Sequence, residues 1–162
     1  NANTIWIQSD EAGEFLGQCA EFCGEAHALM RFRVIAEPRE EYDAWLLAQA
    51  EPATDAIEPL AAEGQALFEG NAAGCWACHT ISGSAKSRGS VGPNLTHVAS
   101  RGLIAAGIIE NDQVGLRTWL TDPCEAKPGN VMCTGAAVYN NPDKSLDEKQ
   151  ISALVAYLRG LH

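Results

Sequence analysis

Cys75-Trp76-Ala77-Cys78-His79 is the stretch on which the reading of this sequence turns. Two cysteines two residues apart, followed directly by histidine, can add both thiols to the vinyl groups of one haem while the imidazole reaches the iron from the same turn. A zinc site or a redox dithiol uses the same pair of cysteines, so the pentapeptide alone leaves those readings open. The sequence downstream narrows them. A low-spin electron-transfer haem takes a second strong-field ligand, and a thioether in that place favours the ferrous state. Of the two methionines, Met132 lies in Lys127-Pro128-Gly129-Asn130-Val131-Met132, a Pro-Gly loop suited to present a side chain inward; the alternative is a core methionine. Cys124 and Cys133 flank that loop. In the oxidising compartment that c-type attachment implies, they are expected to form a disulfide restraining it, two free buried thiols being the alternative.

Outward from this centre the pattern is helical. From Leu60 onward, helices are expected over 60–70, 98–109, 113–121 and 146–160, joined by long loops. Ser145-Leu146-Asp147-Glu148 has the form of a capping box that starts the last one. Upstream, Thr4 to Gln8, Glu14 to Gln18 and Arg31 to Ile35 read as short strands, the last through its polar and apolar alternation. Pro38 opens a helix-like stretch, 39–50, with Tyr42, Trp45 and Leu46 on one face. Residues 51–59 replace periodicity with two prolines and several acids and read as a linker. No internal repeat or low-complexity tract is visible.

A second constellation lies in the upstream part: Cys19-Ala20-Glu21-Phe22-Cys23-Gly24-Glu25-Ala26-His27-Ala28-Leu29-Met30. Thiolates bridge soft copper ions, and imidazole and thioether complete such sites. Taken alone, the two cysteines could form a disulfide or half a zinc site. Their conjunction with His27 and Met30 favours copper.

Residues 60–162 resemble class I cytochrome c. Gly64-Gln65-Ala66-Leu67-Phe68 is similar to that family's first helix, whose glycine permits close approach of the last helix, and Leu154 and Tyr157 match the contact positions. Gly92-Pro93-Asn94-Leu95 resembles the loop whose proline carbonyl accepts a hydrogen bond from the proximal histidine, which implies that Pro93 orients His79. Trp119 matches an aromatic near the axial methionine. The resemblance thus implies haem c held by Cys75, Cys78, His79 and Met132. His97, just after the Gly-Pro loop, is a rival ligand, a haem-edge or propionate contact, or a surface histidine.

The upstream motif, through Gly17-Gln18-Cys19-Ala20-Glu21-Phe22-Cys23-Gly24, resembles the binuclear copper A loop of cytochrome c oxidase subunit II. The resemblance implies that Cys19 and Cys23 bridge two coppers, that His27 and Met30 bind one each, and that Glu21 contributes its backbone carbonyl. Nitrous oxide reductase has a related loop with Trp in place of Glu21. The oxidase site takes a further histidine from an earlier strand, and the four histidines here, His27, His79, His97 and His162, all follow Cys19; copper A is therefore expected of a full-length subunit and is incomplete on these residues alone. The expected fold is mainly α: a partial β, cupredoxin-like segment with a trailing helix over 1–50, a linker over 51–59, and a cytochrome c domain over 60–162.

Together the two resemblances describe the subunit II of caa-type haem-copper oxidases, a non-catalytic electron-transfer subunit that partners subunit I and the rest of a membrane complex. A copper A-containing nitric oxide reductase and a soluble carrier cytochrome with a vestigial copper segment are the alternatives. The formal net charge of −10, with nine acids against three bases in residues 1–50, makes nucleic acid a poor partner and suits a basic electron-donor protein. No run approaches the ~20 apolar residues that cross a bilayer, so the chain is expected to be soluble or to lack its membrane part. Asn1-Ala2-Asn3-Thr4-Ile5 reads as the interior of a longer protein, and the resemblance implies a periplasmic position on the extracytoplasmic face of a bacterial inner membrane, anchored by upstream helices.

Overall fold

The computed structural model describes residues 2–162. Its first regular element is an antiparallel hairpin of β1 (Gly13–Gln18) and β2 (Arg31–Ala36), whose register pairs Gly17 with Phe32 and Phe15 with Val34. The Phe32 ring lies over Gly17, where a Cβ would meet it. Between the strands runs the 19–30 loop, closed at its base by a hydrogen bond from the Cys19 amide to the Met30 carbonyl at 2.9 Å. The expected strand at Thr4 to Gln8 does not form. Residues 2–9 have no partner strand, and the alternating side chains Ile5, Trp6 and Ile7 stand exposed.

Pro38 precedes α1 (Arg39–Ala50), which has Glu40 and Glu41 in its first turn, where the helix dipole favours acids. Tyr42, Trp45 and Leu46 share a face as the spacing predicts, yet each is roughly half exposed. Residues 51–58, although without helix or strand, are pinned rather than free. The Ala53 amide donates to the Ser82 carbonyl at 2.9 Å, and Gln65 is bonded to both the Ala56 amide and the Asp55 carboxylate.

The helical part begins with α2 (Pro59–Phe68), proline at its first turn. A short hairpin of β3 (Leu103–Ile104) and β4 (Ile109–Glu110) follows, then α3 (Gln113–Thr121), the short helices α4 (Pro123–Ala126), α5 (Val131–Gly135) and α6 (Ala137–Asn140), and α7 (Glu148–Arg159). The core lies where α7 crosses α2 and α3. Ile151, Leu154, Val155 and Leu158 repeat at helical spacing, all 5% exposed or less, against Phe68, Leu116 and Leu120. Burying each such side chain contributes about 1.5–3 kcal/mol. Arg117 of α3 reaches Glu148 at 2.6 Å and Ser152 at 2.7 Å, tying α3 to the outer side of α7.

Two expectations are corrected. Residues 98–109 are not a helix: a 3-10 turn over Val98–Ser100 leads into the β3–β4 hairpin. Ala105, Ala106 and Gly107 all have positive φ (55°, 60° and 79°), which a right-handed helix cannot contain. Asn111 holds this loop closed by donating to the carbonyls of Val98 and Arg101 at 2.6 and 2.7 Å. The capping box of α7 is not Ser145 with Glu148 but Asp147 with Gln150. The Asp147 carboxylate accepts from the Gln150 amide at 2.8 Å, and the Gln150 side chain accepts from the Asp147 amide at 2.9 Å. Ser145 instead donates to the Pro142 carbonyl. Among the described residues no helix is long and apolar enough to cross a membrane.

The α2–α7 crossing is set by Gly64. A Cβ there would overlap the Ala153 carbonyl and lie 2.8 Å from Tyr157 Cβ. Gly64→Ala should therefore lower unfolding stability by about 3 kcal/mol, measured by chemical denaturation. On helix propensity alone the change stabilises by about 1 kcal/mol, so a raised midpoint would remove the close crossing from the account.

Candidate metal centres

The Cys75 turn is built by backbone. Gly74, at φ +69°, reverses the chain into a 3-10 turn over Cys75–Ala77, and the amides of Cys78 and His79 both bond to the Cys75 carbonyl, at 3.1 and 3.0 Å. Both thiols and the imidazole thus project from one compact turn. The Gly92 amide donates to the Cys78 carbonyl at 2.8 Å and brings the 92–95 loop against it.

His79 is held from three sides. Its Nδ1 lies 2.8 Å from the Pro93 carbonyl, which can only accept, so Nδ1 carries the hydrogen and the Nε2 lone pair is free for a metal. Gly92 lies flat against the ring: a Cβ there would fall 2.7 Å from Nδ1. Phe68, buried in the core, packs at 6.4 Å between ring centroids and is itself braced edge-on by Tyr157 at 5.6 Å. Burial depresses the imidazole pKa, with the Pro93 hydrogen bond opposing it, so His79 stays neutral below the usual histidine range. Burial also pushes the Cys75 thiol up to about 12, so that it rests in its neutral form.

The chemistry of this donor set fits a c-type haem. Four buried polar atoms, Trp76 Nε1, Ser87 Oγ, His97 Nε2 and Asn111 Oδ1, have no hydrogen-bond partner among the described residues, and the first of them belongs to the Cys75–His79 turn itself. His97 is 8% exposed, which removes the surface reading of that residue. Beside it the exposed Arg101 donates to the Asn94 carbonyl, and Gln49, Ser82 and Thr96 complete the walls of a cavity there of about 320 Å³. Met132 sits half buried in the first turn of α5, whose N-cap Asn130 accepts from the Cys133 amide at 3.2 Å and donates to the Pro123 and Lys127 carbonyls at 2.6 Å. Cys124 and Cys133 are joined in a disulfide across this loop, with Cα atoms 5.4 Å apart. Trp119 is half buried on α3.

Sequence reasoning missed Tyr139. Its hydroxyl donates to the Leu120 carbonyl at 3.0 Å, and burial first, then the neighbouring Cys75 and Asp122, pushes its pKa above the usual tyrosine range. The tyrosine ties the short helix α6 to α3, and its place seven residues after Met132 in a stretch without clear periodicity offered no signal.

The second centre is the 19–30 loop. Cys19 Sγ and Cys23 Sγ lie 3.5 Å apart and unbonded, and the ligand atoms of Cys19, Cys23 and His27 all fall within 4.8 Å of one another. Cys23 Sγ is 3.8 Å from His27 Nδ1 and 3.9 Å from Met30 Sδ, and the Cys19 thiol is 3.1 Å from the Glu21 carbonyl. All five groups singled out in the sequence converge. The hydrogen bond from Cys19 raises the Cys23 thiol pKa, and Lys127, from the Met132 loop, opposes that rise. Two sulfurs bracketed by an imidazole, a thioether and a carbonyl form a soft donor set suited to copper. No upstream histidine joins them, all four histidines of the sequence lying at or after His27.

Residues 61–162 match the family described as cytochrome c. Over 159 residues, 98% of this chain and 42% of the relative, the sequence is 42% identical to cytochrome c oxidase subunit 2 of Alkalihalophilus pseudofirmus. It is 38% identical to cytochrome c oxidase subunit 2 of Bacillus sp. PS3 over 168 residues, 99% of this chain and 45% of the relative. The corresponding protein of Bacillus subtilis is 34% identical over 95% of this chain and 41% of its own length. The chain spans less than half the length of these relatives. Denatured without reductant and free of any prosthetic group, it should present four alkylatable thiols, Cys19, Cys23, Cys75 and Cys78, and six after reduction, read by mass. Six before reduction would remove the disulfide.

Proposed function

Because the chain belongs to the cytochrome c family through residues 61–162, we propose that it is the electron-transfer end of a respiratory oxidase subunit II of the caa type. In this reading residues 60–162 form a haem domain, 1–50 the closing part of a copper A domain, and 51–59 the connection between them. The observation that carries it is the convergence of Cys19, Cys23, His27, Met30 and the Glu21 carbonyl in the same chain as the Cys75–His79 turn. Near-complete alignment of the chain with proteins named cytochrome c oxidase subunit 2 supports an oxidase over a nitric oxide reductase or a free carrier.

Haem c, when bound, supplies a one-electron centre, and copper A a second. For the first, Cys75 and Cys78 would hold the haem through their thiols, and His79 Nε2 and Met132 Sδ would bind its iron, while the Pro93 carbonyl holds the imidazole in the tautomer a metal needs. With His79 and Met132 both holding it, such a haem would serve to relay electrons rather than to bind oxygen. Trp119, half buried on α3, would supply an aromatic wall near Met132. For the second, Cys19, Cys23, His27, Met30 and the Glu21 carbonyl would hold the copper, the two thiolates as its principal donors. In this reading a further histidine from outside these residues would complete the set, and a further sheet would cover the apolar side chains Leu16, Phe32 and Ile35 of a hairpin that by itself is only marginally stable.

The proposed setting is the extracytoplasmic face of a bacterial membrane, with anchoring helices upstream and subunit I as the acceptor. The acidic surface suits a basic donor protein. Met132→Ala should leave haem covalently attached while changing the reduced absorption spectrum and lowering the midpoint potential; an unchanged spectrum removes Met132 from the iron. Metal analysis of the full-length subunit should find copper with a binuclear electron paramagnetic resonance signal, abolished by Cys23→Ser. Absence of copper from the full-length protein would favour the carrier reading.

A further inference from the structure

Two segments of the haem domain reach across the chain and touch the copper loop. One is the β3–β4 turn. The Ala106 carbonyl accepts a hydrogen bond from the Arg31 amide at 2.9 Å, immediately after Met30, and Gly107 packs so closely on Arg31 that a Cβ there would lie 2.9 Å from its carbonyl oxygen. The other is the Pro128-Gly129 segment. A Cβ on Gly129 would fall 2.8 Å from Glu25 Cβ and 3.3 Å from the Ala26 amide nitrogen. Ala26 adjoins His27, and Gly129 precedes Met132 by three residues. The two contacts therefore seize the copper loop beside His27 and Met30, its two non-cysteine side-chain ligands.

The backbone at both contacts departs from its resting preference. Ala105 and Ala106 hold φ of 55° and 60°, a region costly for residues with a Cβ, and such strain persists only where the surroundings over-determine it. What over-determines it here is the Arg31 hydrogen bond together with the closure of the loop by Asn111. Gly129, at φ +76°, is likewise in a conformation that glycine alone adopts freely. Behind it, Asn130 and the Cys124–Cys133 disulfide brace the segment. Lys127 is buried next to the contact and within electrostatic reach of Cys23.

We propose that Ala106-Gly107 and Pro128-Gly129 form a clasp that fixes the Met132 loop against the Glu25–Arg31 part of the copper loop, and that this clasp, rather than a tethered encounter, positions the two centres for electron transfer within the chain. The proposal rests on the copper and haem reading above, and it assigns Gly129, Gly107 and Ala106 as positioning residues that touch neither metal. A strained turn whose carbonyl accepts a hydrogen bond from a neighbouring segment, and a glycine packed without room for a methyl group, are expensive features for two bodies that meet only transiently.

The test has two arms. In this chain, loaded with haem, the Arg31 amide should exchange with solvent at least about a hundredfold more slowly than an unprotected amide, because its partner is Ala106 and not the opposite strand. That protection should be lost in Gly129→Ala. In the intact subunit carrying both centres, Gly129→Ala should slow haem-to-copper electron transfer about tenfold, the scale on which small displacements of reacting groups act. The haem absorption and copper resonance should stay unaltered, and the second change Glu25→Gly, which removes the struck Cβ, should restore the rate to within about twofold. A freely exchanging Arg31 amide, an unchanged rate with both centres intact, or a slow rate that Glu25→Gly does not restore each overturns the clasp. An intact subunit without copper would instead overturn the functional reading, while the exchange of Arg31 still reports on the clasp.

Discussion

The crossing of α2 and α7 at Gly64 is the constraint from which the rest of the helical structure follows. With no side chain at Gly64, the backbone of α7 comes close enough for the Ala153 carbonyl to occupy that space. This proximity places Phe68 and Tyr157 edge to face at the end of the crossing, and Phe68 then presents its other side to His79. The imidazole is fixed between that ring and the Gly92-Pro93 backbone, and its tautomer is set by a carbonyl that has no proton to give. A packing event between helices is in this way converted into a free Nε2 lone pair at a defined place.

The two centres are built on opposite strategies. Around Cys75 the ligands come from a compact turn in the interior of the fold, and desolvation dominates: it raises the Cys75 thiol and lowers the His79 imidazole, each toward its neutral form. Around Cys23 the ligands lie on an exposed loop, and their mutual contacts dominate, with the Cys19 hydrogen bond as the leading influence on the Cys23 thiol. The first site is preorganised by the core. The second is held at its base by the Cys19–Met30 hydrogen bond and along its length by contacts from the haem domain. A hairpin of two strands with exposed apolar faces has little other support.

Where the sequence misled, the cause was local pattern without tertiary context. Residues 98–109 contain apolar residues at helical spacing, yet Gly102 and Gly107 permit a hairpin, and the Arg31 and Asn111 hydrogen bonds reward it. Ser145 has the chemistry of a helix cap, but the Pro142–Lys144 turn takes its hydroxyl, and the box closes two residues later on Asp147 and Gln150. Thr4 to Gln8 has the composition of a strand and no strand to pair with. In each case propensity was real and a hydrogen-bond partner decided the outcome.

The sequence by itself named the donor residues of both proposed centres. Cysteine, histidine and methionine at those spacings leave few other uses, and a glycine or proline beside them restricts the backbone whatever surrounds it. It also determined the mainly α class and the place of α1, α2, α3 and α7, because helical periodicity is a local property. What only the tertiary structure decided was everything requiring two distant segments to meet: the burial of His97, the role of Tyr139, the pinning of residues 51–58, and the contact of Gly129 and Ala106 with the copper loop. Such contacts are made by backbone atoms, which every residue carries alike, and so they leave almost no mark on the order of the side chains.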